Sequence, residues 1–330
     1  MASLRRVGIA IWLNPLQGAA RFRKLTAQPA LAALVQFPHP GGERNPGKAR
    51  RVRWNTGHHR RKFLQGPGRY LGTDGAPVEA LLAFWGEWEA PSYVVKSWSA
   101  EEDDLPRFLH APVWERPRFN GPRQNTDPWV FGDCFRYSNC KQLSQPALQN
   151  LAPGSVILFG SSKDPRSNRA RFLLDTVFVV GEERQRYRPA DPPDTDEVFR
   201  VCTVESLATD SDGNMCGSVK PCGATNSWFT LYNGATYENP IDGMYCFVPC
   251  RRVDREDFRF ARPKLSLPVE IVNPQSAQSP KGADRPLPRW QIRNFWMNVR
   301  DHIRAAGCLE GVHFSTPPED HGEPRGAWFG

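Results

Sequence analysis

The sequence predicts an α+β fold: a strand-rich body with long loops, closed by one C-terminal amphipathic helix. Three observations predict it. The segments Val156–Gly160 and Phe172–Val180 are short, β-branched or aromatic, and bounded by turn residues. Proline (31) and glycine (27) are both abundant, which favours many turns and short elements over long helices. Only one stretch, with Ile292, Phe295, Trp296, Val299 and Ile303, keeps helical spacing over several turns.

Taken in order, residues 7–13 form an apolar run behind Arg5 and Arg6. The run is short and Asn14-Pro15 interrupts it, so it reads as a first strand and not as an export signal. Residues 25–35 read as a short helical stretch ended by Pro38, and residues 78–88 as a strand with alternating apolar positions. Residues 99–128 are loop-like, with Glu101, Glu102, Asp103 and Asp104 forming an acidic patch. Strand character resumes over 129–137. The near-continuous apolarity of 156–160 and 172–180 predicts strands buried on both faces, as in a small barrel or sandwich. Residues 182–197, charged and proline-rich, read as a solvated excursion, and strand and turn signals return over 200–250. The organisation expected is a main domain over 1–273, a proline-rich linker over 274–288, and a helix and tail over 289–330 packing back on the main domain. Pro288 near the helix start and Gly307 after its last periodic residue mark the helix ends.

With 39% hydrophobic and 24% charged residues the chain is globular, and no run reaches the ~18 apolar residues of a membrane helix. Eight cysteines without an export signal argue for reduced thiols or a metal site in the cytoplasm more than for a disulfide framework. Cys216 with Cys222 and Cys246 with Cys250 offer four thiolates for zinc, although only the second pair has knuckle spacing. No other cofactor is expected.

The net charge is +8, and the window from Glu43 to Arg69 holds nine Lys/Arg against one acid, an excess equal to that of the whole chain. Such clustering is the footprint of a phosphate-rich partner, a solvated basic face being the alternative. Within it Arg60, Arg61 and Lys62 suit phosphate oxygens, and His58 or His59 has the proton affinity of a general acid or base. A second cluster, Phe84 to Glu89, places Trp85 and Glu87 on one strand face and Trp88 on the other. A tryptophan beside a carboxylate can stack a base and accept from its exocyclic amine; core packing is the competing account. A third cluster, residues 121–142, is dense in side chains with directed hydrogen bonds: Arg123, Gln124, Asn125, Asp127, Asp133, Asn139 and Lys141, with Trp129 and Tyr137 for stacking.

These blocks, written NTGHHRRKFL, FWGEWE, QNTDPWVFGDCFRYSNCKQ, PGSVILFGS and FLLDTVFVV, resemble those of a family of uncharacterised bacterial proteins. That resemblance implies no activity. More distantly, Pro153-Gly154-Ser155 leading into Val156-Ile157-Leu158, with a later strand ending Val177-Phe178-Val179-Val180, is similar to PUA-like domains such as ASCH, EVE and YTH. This similarity implies a small PUA-like β-barrel that binds RNA or a modified base in an aromatic-lined pocket. Ser155 departs from the acid more usual in that turn.

Charge and side chains together lead to an expected nucleic-acid or nucleotide binding protein. Phosphates would meet the 44–69 arginines, a base would stack on Trp85, Trp88, Trp129 and Tyr137, and Glu87, Gln124, Asn125 or Asp127 would read its edge. One alternative is an enzyme acting on nucleic acid or nucleotides, with Asp127, Asp133, Glu87, His58 and His59 as acids, bases or metal ligands. The other is a structural or protein-interaction module. No phosphate-cradling glycine loop, GxSxG elbow or HExxH helix is present to decide among them.

Overall fold

The structure, a computed structural model, describes residues 31–38, 43, 51–52, 61–99, 104–116, 124–163, 171–205, 227–267 and 281–322. The expected first strand at 7–13 lies outside them. The elements are β1 (Leu31–Pro38), β2 (Arg51–Val52), β3 (Arg61–Leu71), β4 (Pro77–Glu87), β5 (Ser92–Ser97), β6 (Phe108–Pro112) and β7 (Arg136–Tyr137). They continue with β8 (Val156–Lys163), β9 (Arg171–Tyr187), α1 (Glu197–Phe199), β10 (Phe229–Gly234), β11 (Val248–Arg252) and β12 (Lys264–Ser266). β13 (Pro286–Pro288), α2 (Arg289–Ala305) and β14 (Leu309–Phe314) follow.

The strands form two sheets. One runs β13-β1-β8-β9-β10-β7, with β12 also on β9; the other runs β14-β11-β4-β3-β6-β5-β2. In the second, β14 pairs with both β11 and β3, so β3, β4, β11 and β14 close into a ring while the other strands extend from it. Gly68 permits the closure, because a Cβ there would run into the backbone carbonyl of His313 on β14. The sheets are tied where Val177 of β9 exchanges backbone hydrogen bonds of 2.9 and 3.0 Å with Phe247, just ahead of β11.

β8 and β9 pair antiparallel along their lengths, and Val156–Phe159 and Val177–Val180 are buried, as their apolarity predicts. β4 also lies where its alternation places it. Three expectations are corrected. Residues 31–38 are a strand and not the end of a helix: β1 pairs parallel with β8, and Ala32–Phe37 are buried on both faces, which erases strand alternation. Within 129–137 only the last two residues form a strand. β9 continues through the charged residues to Tyr187 because β10 pairs with it there.

α2 buries Ile292, Trp296, Val299 and Ile303, and Trp296 Nε1 donates to the Tyr245 carbonyl at 3.1 Å. Gly307 ends it at φ +72°, with the Gly307 and Cys308 N–H groups donating back to Arg304 and Ile303. Of the expected linker, 274–280 lies outside the described residues, whereas Pro286–Pro288 pairs with β1. The tail goes further than packing on the body, since β14 is a strand of the ring. No helix among the described residues is long and apolar enough to cross a membrane.

Candidate functional site

Folding brings the second and third clusters of the sequence together, but inside the protein. Glu89 Oε2 accepts from the Asn125 N–H at 2.7 Å, the Glu89 N–H donates to Thr126 Oγ1 at 3.0 Å, and the Trp88 and Trp129 rings lie 5.8 Å apart. Trp85, Trp88, Trp129 and Tyr137 are 5%, 1%, 0% and 0% exposed, so none offers a ring face to a base. Trp85 Nε1 donates to the Phe260 carbonyl, Trp88 Nε1 to that of Pro91 and Tyr137 Oη to that of Cys140. The ring-lined hollow expected from these residues is core: each lies on or beside a strand covered on both sides, and aromatic neighbours fill the space.

Arg61 and Lys62 are corrected likewise. Both are 1% exposed on β3, a strand flanked by β4 on one edge and by β6 and β14 on the other. Arg61 Nη1 meets Glu87 Oε2 at 2.6 Å, and Arg61 also pairs with Asp175 of β9. Burial opposes its charge, but Asp175 and Glu87 outweigh burial and raise its pKa. Arg262 completes the group, 3.6 Å from Asp175 and donating to Ser161 Oγ at 2.6 Å. Lys62 Nζ donates to the Ala90 carbonyl and to Ser92 Oγ (3.0 Å), and Ser92 Oγ lies 3.2 Å from His110 Nδ1. Arg61 and Arg262 pair with internal carboxylates and Lys62 bonds internal oxygens, so these buried cations are turned away from a phosphate in solvent. His58, His59, Arg60 and Arg123 lie outside the described residues.

Asp127 is buried and accepts from the N–H groups of Ser138 (3.0 Å), Asn139 (2.8 Å) and Cys140 (2.7 Å), fastening the 138–140 turn. Burial pushes its carboxyl up to about 7 against those three bonds, with Glu87 adding to the rise. Gln124 and Asn139 are buried beside it, Asn125 is half-buried, and Asn139 Nδ2 donates to Ser138 Oγ. Asp133 and Lys141 are exposed on turns. Cys246 and Cys250 are buried, with thiols donating to the Val179 and Leu309 carbonyls and pushed well up by burial. Cys216 and Cys222 lie outside the described residues, among which no group of three or more His, Cys, Asp or Glu is arranged around a metal position.

Elsewhere among the described residues, charge and a ring are exposed together. Alternate residues Arg184, Arg186 and Arg188, at and just past the end of β9, are all exposed. Trp228, immediately before β10, is 48% exposed. The guanidinium carbons of Arg186 and Arg188 lie 5.7 and 5.0 Å from its ring centroid. No carboxylate pairs with these three arginines among the described residues. Arg184 and Arg186 each make one long contact, 3.4 Å to the Leu151 carbonyl and to Gln149 Oε1. A guanidinium has five N–H donors, so most of each fork stays open to solvent.

The platform beneath is tied together by hydrogen bonds. Gln142 clasps Thr230 of β10 through both amide atoms, each at 2.8 Å, and Tyr232 Oη joins the Leu148 carbonyl to the Leu151 N–H. At the same sheet end is a polar cleft of about 260 Å³ with Arg136, Glu183, Arg184, Gln185, Asp194 and Asn233 in its wall, so Arg184 borders both the stripe and the cleft. Arg136 is held there by Asp196 (2.7 Å) and the Phe199 ring.

No family model, curated protein or solved structure is similar to this chain at a significant level.

Sequence reasoning missed the arginine stripe. Its signal was the Arg-x-Arg-x-Arg spacing of residues 184–188, which on a strand puts all three side chains on one face. Reading that stretch as a solvated excursion removed the strand, and the spacing lost its meaning.

Proposed function

We propose that this protein binds nucleic acid through the Arg184–Arg186–Arg188 stripe and Trp228. The observation that supports this most is an indole half open to solvent with two guanidinium groups against its ring, beside a third arginine, none of them neutralised by a described carboxylate. Arginine forks suit phosphate oxygens, and an exposed indole suits the π-face of a base. The similarity to PUA-like domains belongs to the same proposal: its segments form a turn and two adjacent antiparallel strands, β8 and β9.

The test is binding of a labelled oligonucleotide by fluorescence anisotropy between about 50 and 200 mM salt. Three phosphate contacts give a log–log slope of about −2 on a single strand, roughly 0.7 per contact. Replacing Arg184, Arg186 and Arg188 together by glutamine should remove most of that slope. Binding that ignores salt, or a slope the triple variant leaves intact, overturns the assignment.

A second reading is a processing enzyme that uses Asp127, a buried carboxyl whose pKa burial pushes up to about 7, with the Glu87 charge adding to the rise. Turnover of labelled DNA or RNA, with and without divalent metal, that is lost in Asp127→Asn while binding persists would favour it. No turnover under either condition counts against it.

A further inference from the structure

We infer that the ligand of this face is single-stranded nucleic acid of little sequence preference, one base stacked on Trp228 and neighbouring phosphates on Arg184, Arg186 and Arg188. The inference rests on the binding reading above and narrows its substrate class.

Three features carry it. The first is the ring. Stacking on an indole needs a base whose face is free, and a duplex keeps its base faces inside, offering only edges and backbone. Trp228 keeps 48% of its surface open although two guanidinium groups lie against it. A base arriving on that surface therefore has cations beside it for the phosphate it carries.

The second is spacing. Alternate side chains of a strand stand about 6.8 Å apart, two residues at about 3.4 Å each. Arg184 and Arg186 of β9 are thus one such step apart, comparable to one nucleotide of an extended single strand, with Arg188 next in the alternation just past the strand end. The row leads directly to Trp228, because Phe229 pairs with Tyr187 and Thr230 with Arg186. Backbone contacts and a stacked base are thereby presented along one line, as an unpaired strand presents them.

The third is that, among the described residues, the uncharged polar side chains packed beside the stripe are already bonded within the fold. Thr230 Oγ1 donates to the Gln149 carbonyl at 3.0 Å. Gln149 Nε2 donates to the Gln142 carbonyl, and its Oε1 accepts from Arg186. Gln142 is occupied in both directions by the Thr230 backbone. Thr230, Gln149 and Gln142 are thus committed to the fold, and what this face offers is chiefly charge for the backbone and stacking for a base, both of which depend little on sequence.

The experiment uses the full chain and three probes: an oligothymidylate of about 15 nucleotides, a duplex of the same length, and heparin, a polyanion without bases. The single strand should bind about tenfold or more tighter than the duplex, and a mixed-sequence strand should match oligothymidylate closely. Trp228→Ala should weaken single-strand binding about tenfold, the ~1.4 kcal/mol of one stacked base, and leave heparin binding unchanged. Trp228→Phe should retain most of the affinity. Circular dichroism of each variant confirms the fold, which an exposed side chain should not disturb. Equal affinity for duplex and single strand, or a neutral Trp228→Ala, overturns this inference while leaving the charge-based reading in place. Failure of all three probes to bind overturns both.

Discussion

At the scale of single residues, Asp127 shows how far a side chain's role departs from its type. An aspartate in a polar, aromatic-rich segment suggests chemistry or base reading, and the structure uses it to hold three backbone N–H groups in the interior. Its carboxyl moves from 3.8 to about 7 because burial outweighs those bonds. The folded chain therefore holds this proton more tightly than the unfolded chain. The stability linked to it is complete below about pH 4 and is lost as pH rises through about 7. Asp127→Asn, neutral throughout, loses one acceptor and should be about 1–3 kcal/mol less stable than the native chain at about pH 5. That gap should narrow towards about pH 8, read by thermal melting of both proteins in parallel. A gap that stays constant with pH refutes the shift. Arg61 and Lys62 make the related point for cations. Their sequence neighbourhood is a basic run, yet tertiary partners on β4, β9 and the 90–92 turn take both side chains inside.

At the scale of elements, legibility depended on whether an element's signal was local. α2 was readable because its apolar residues recur every three or four positions and Pro288 and Gly307 bound it. β8 and the first half of β9 were readable from β-branched and aromatic runs. β1 was not, because a strand buried on both faces has no alternation, and Leu-Ala-Ala-Leu-Val satisfies a helical spacing equally well. The charged half of β9 was hidden for the opposite reason: its side chains are polar and only pairing with β10 makes it a strand. Close approach between elements gives a sharp test. Gly68→Ala puts a Cβ against the His313 carbonyl, so β14 must move away from β3. We expect a loss of about 1–3 kcal/mol in urea unfolding, typical of overpacking. No change would mean that the ring closes more loosely than its registers indicate.

At the scale of the whole molecule, the two sheets are joined through a buried ion group in which Arg61 and Glu87 from one sheet meet Asp175 of the other, with Arg262 alongside. Breaking such a group by removing one member leaves uncompensated charge in the interior. Asp175→Asn should therefore destabilise the protein by about 3–5 kcal/mol in denaturant unfolding, far more than a surface pair of the same chemistry such as Lys264 with Asp104. An effect below about 1 kcal/mol would show that water reaches the group. The sequence by itself determined the strand-rich α+β character, the C-terminal helix with its buried face, and the segments in which polar and aromatic side chains concentrate. These follow from periodicity, propensity and composition, all local properties of the chain. Only the tertiary structure decided which arginines and tryptophans meet solvent. It turned Arg61, Lys62, Trp85, Trp88 and Trp129 inward and left Arg184, Arg186, Arg188 and Trp228 outside. Exposure depends on which strands pair and which faces they cover, and those contacts join residues far apart in the chain.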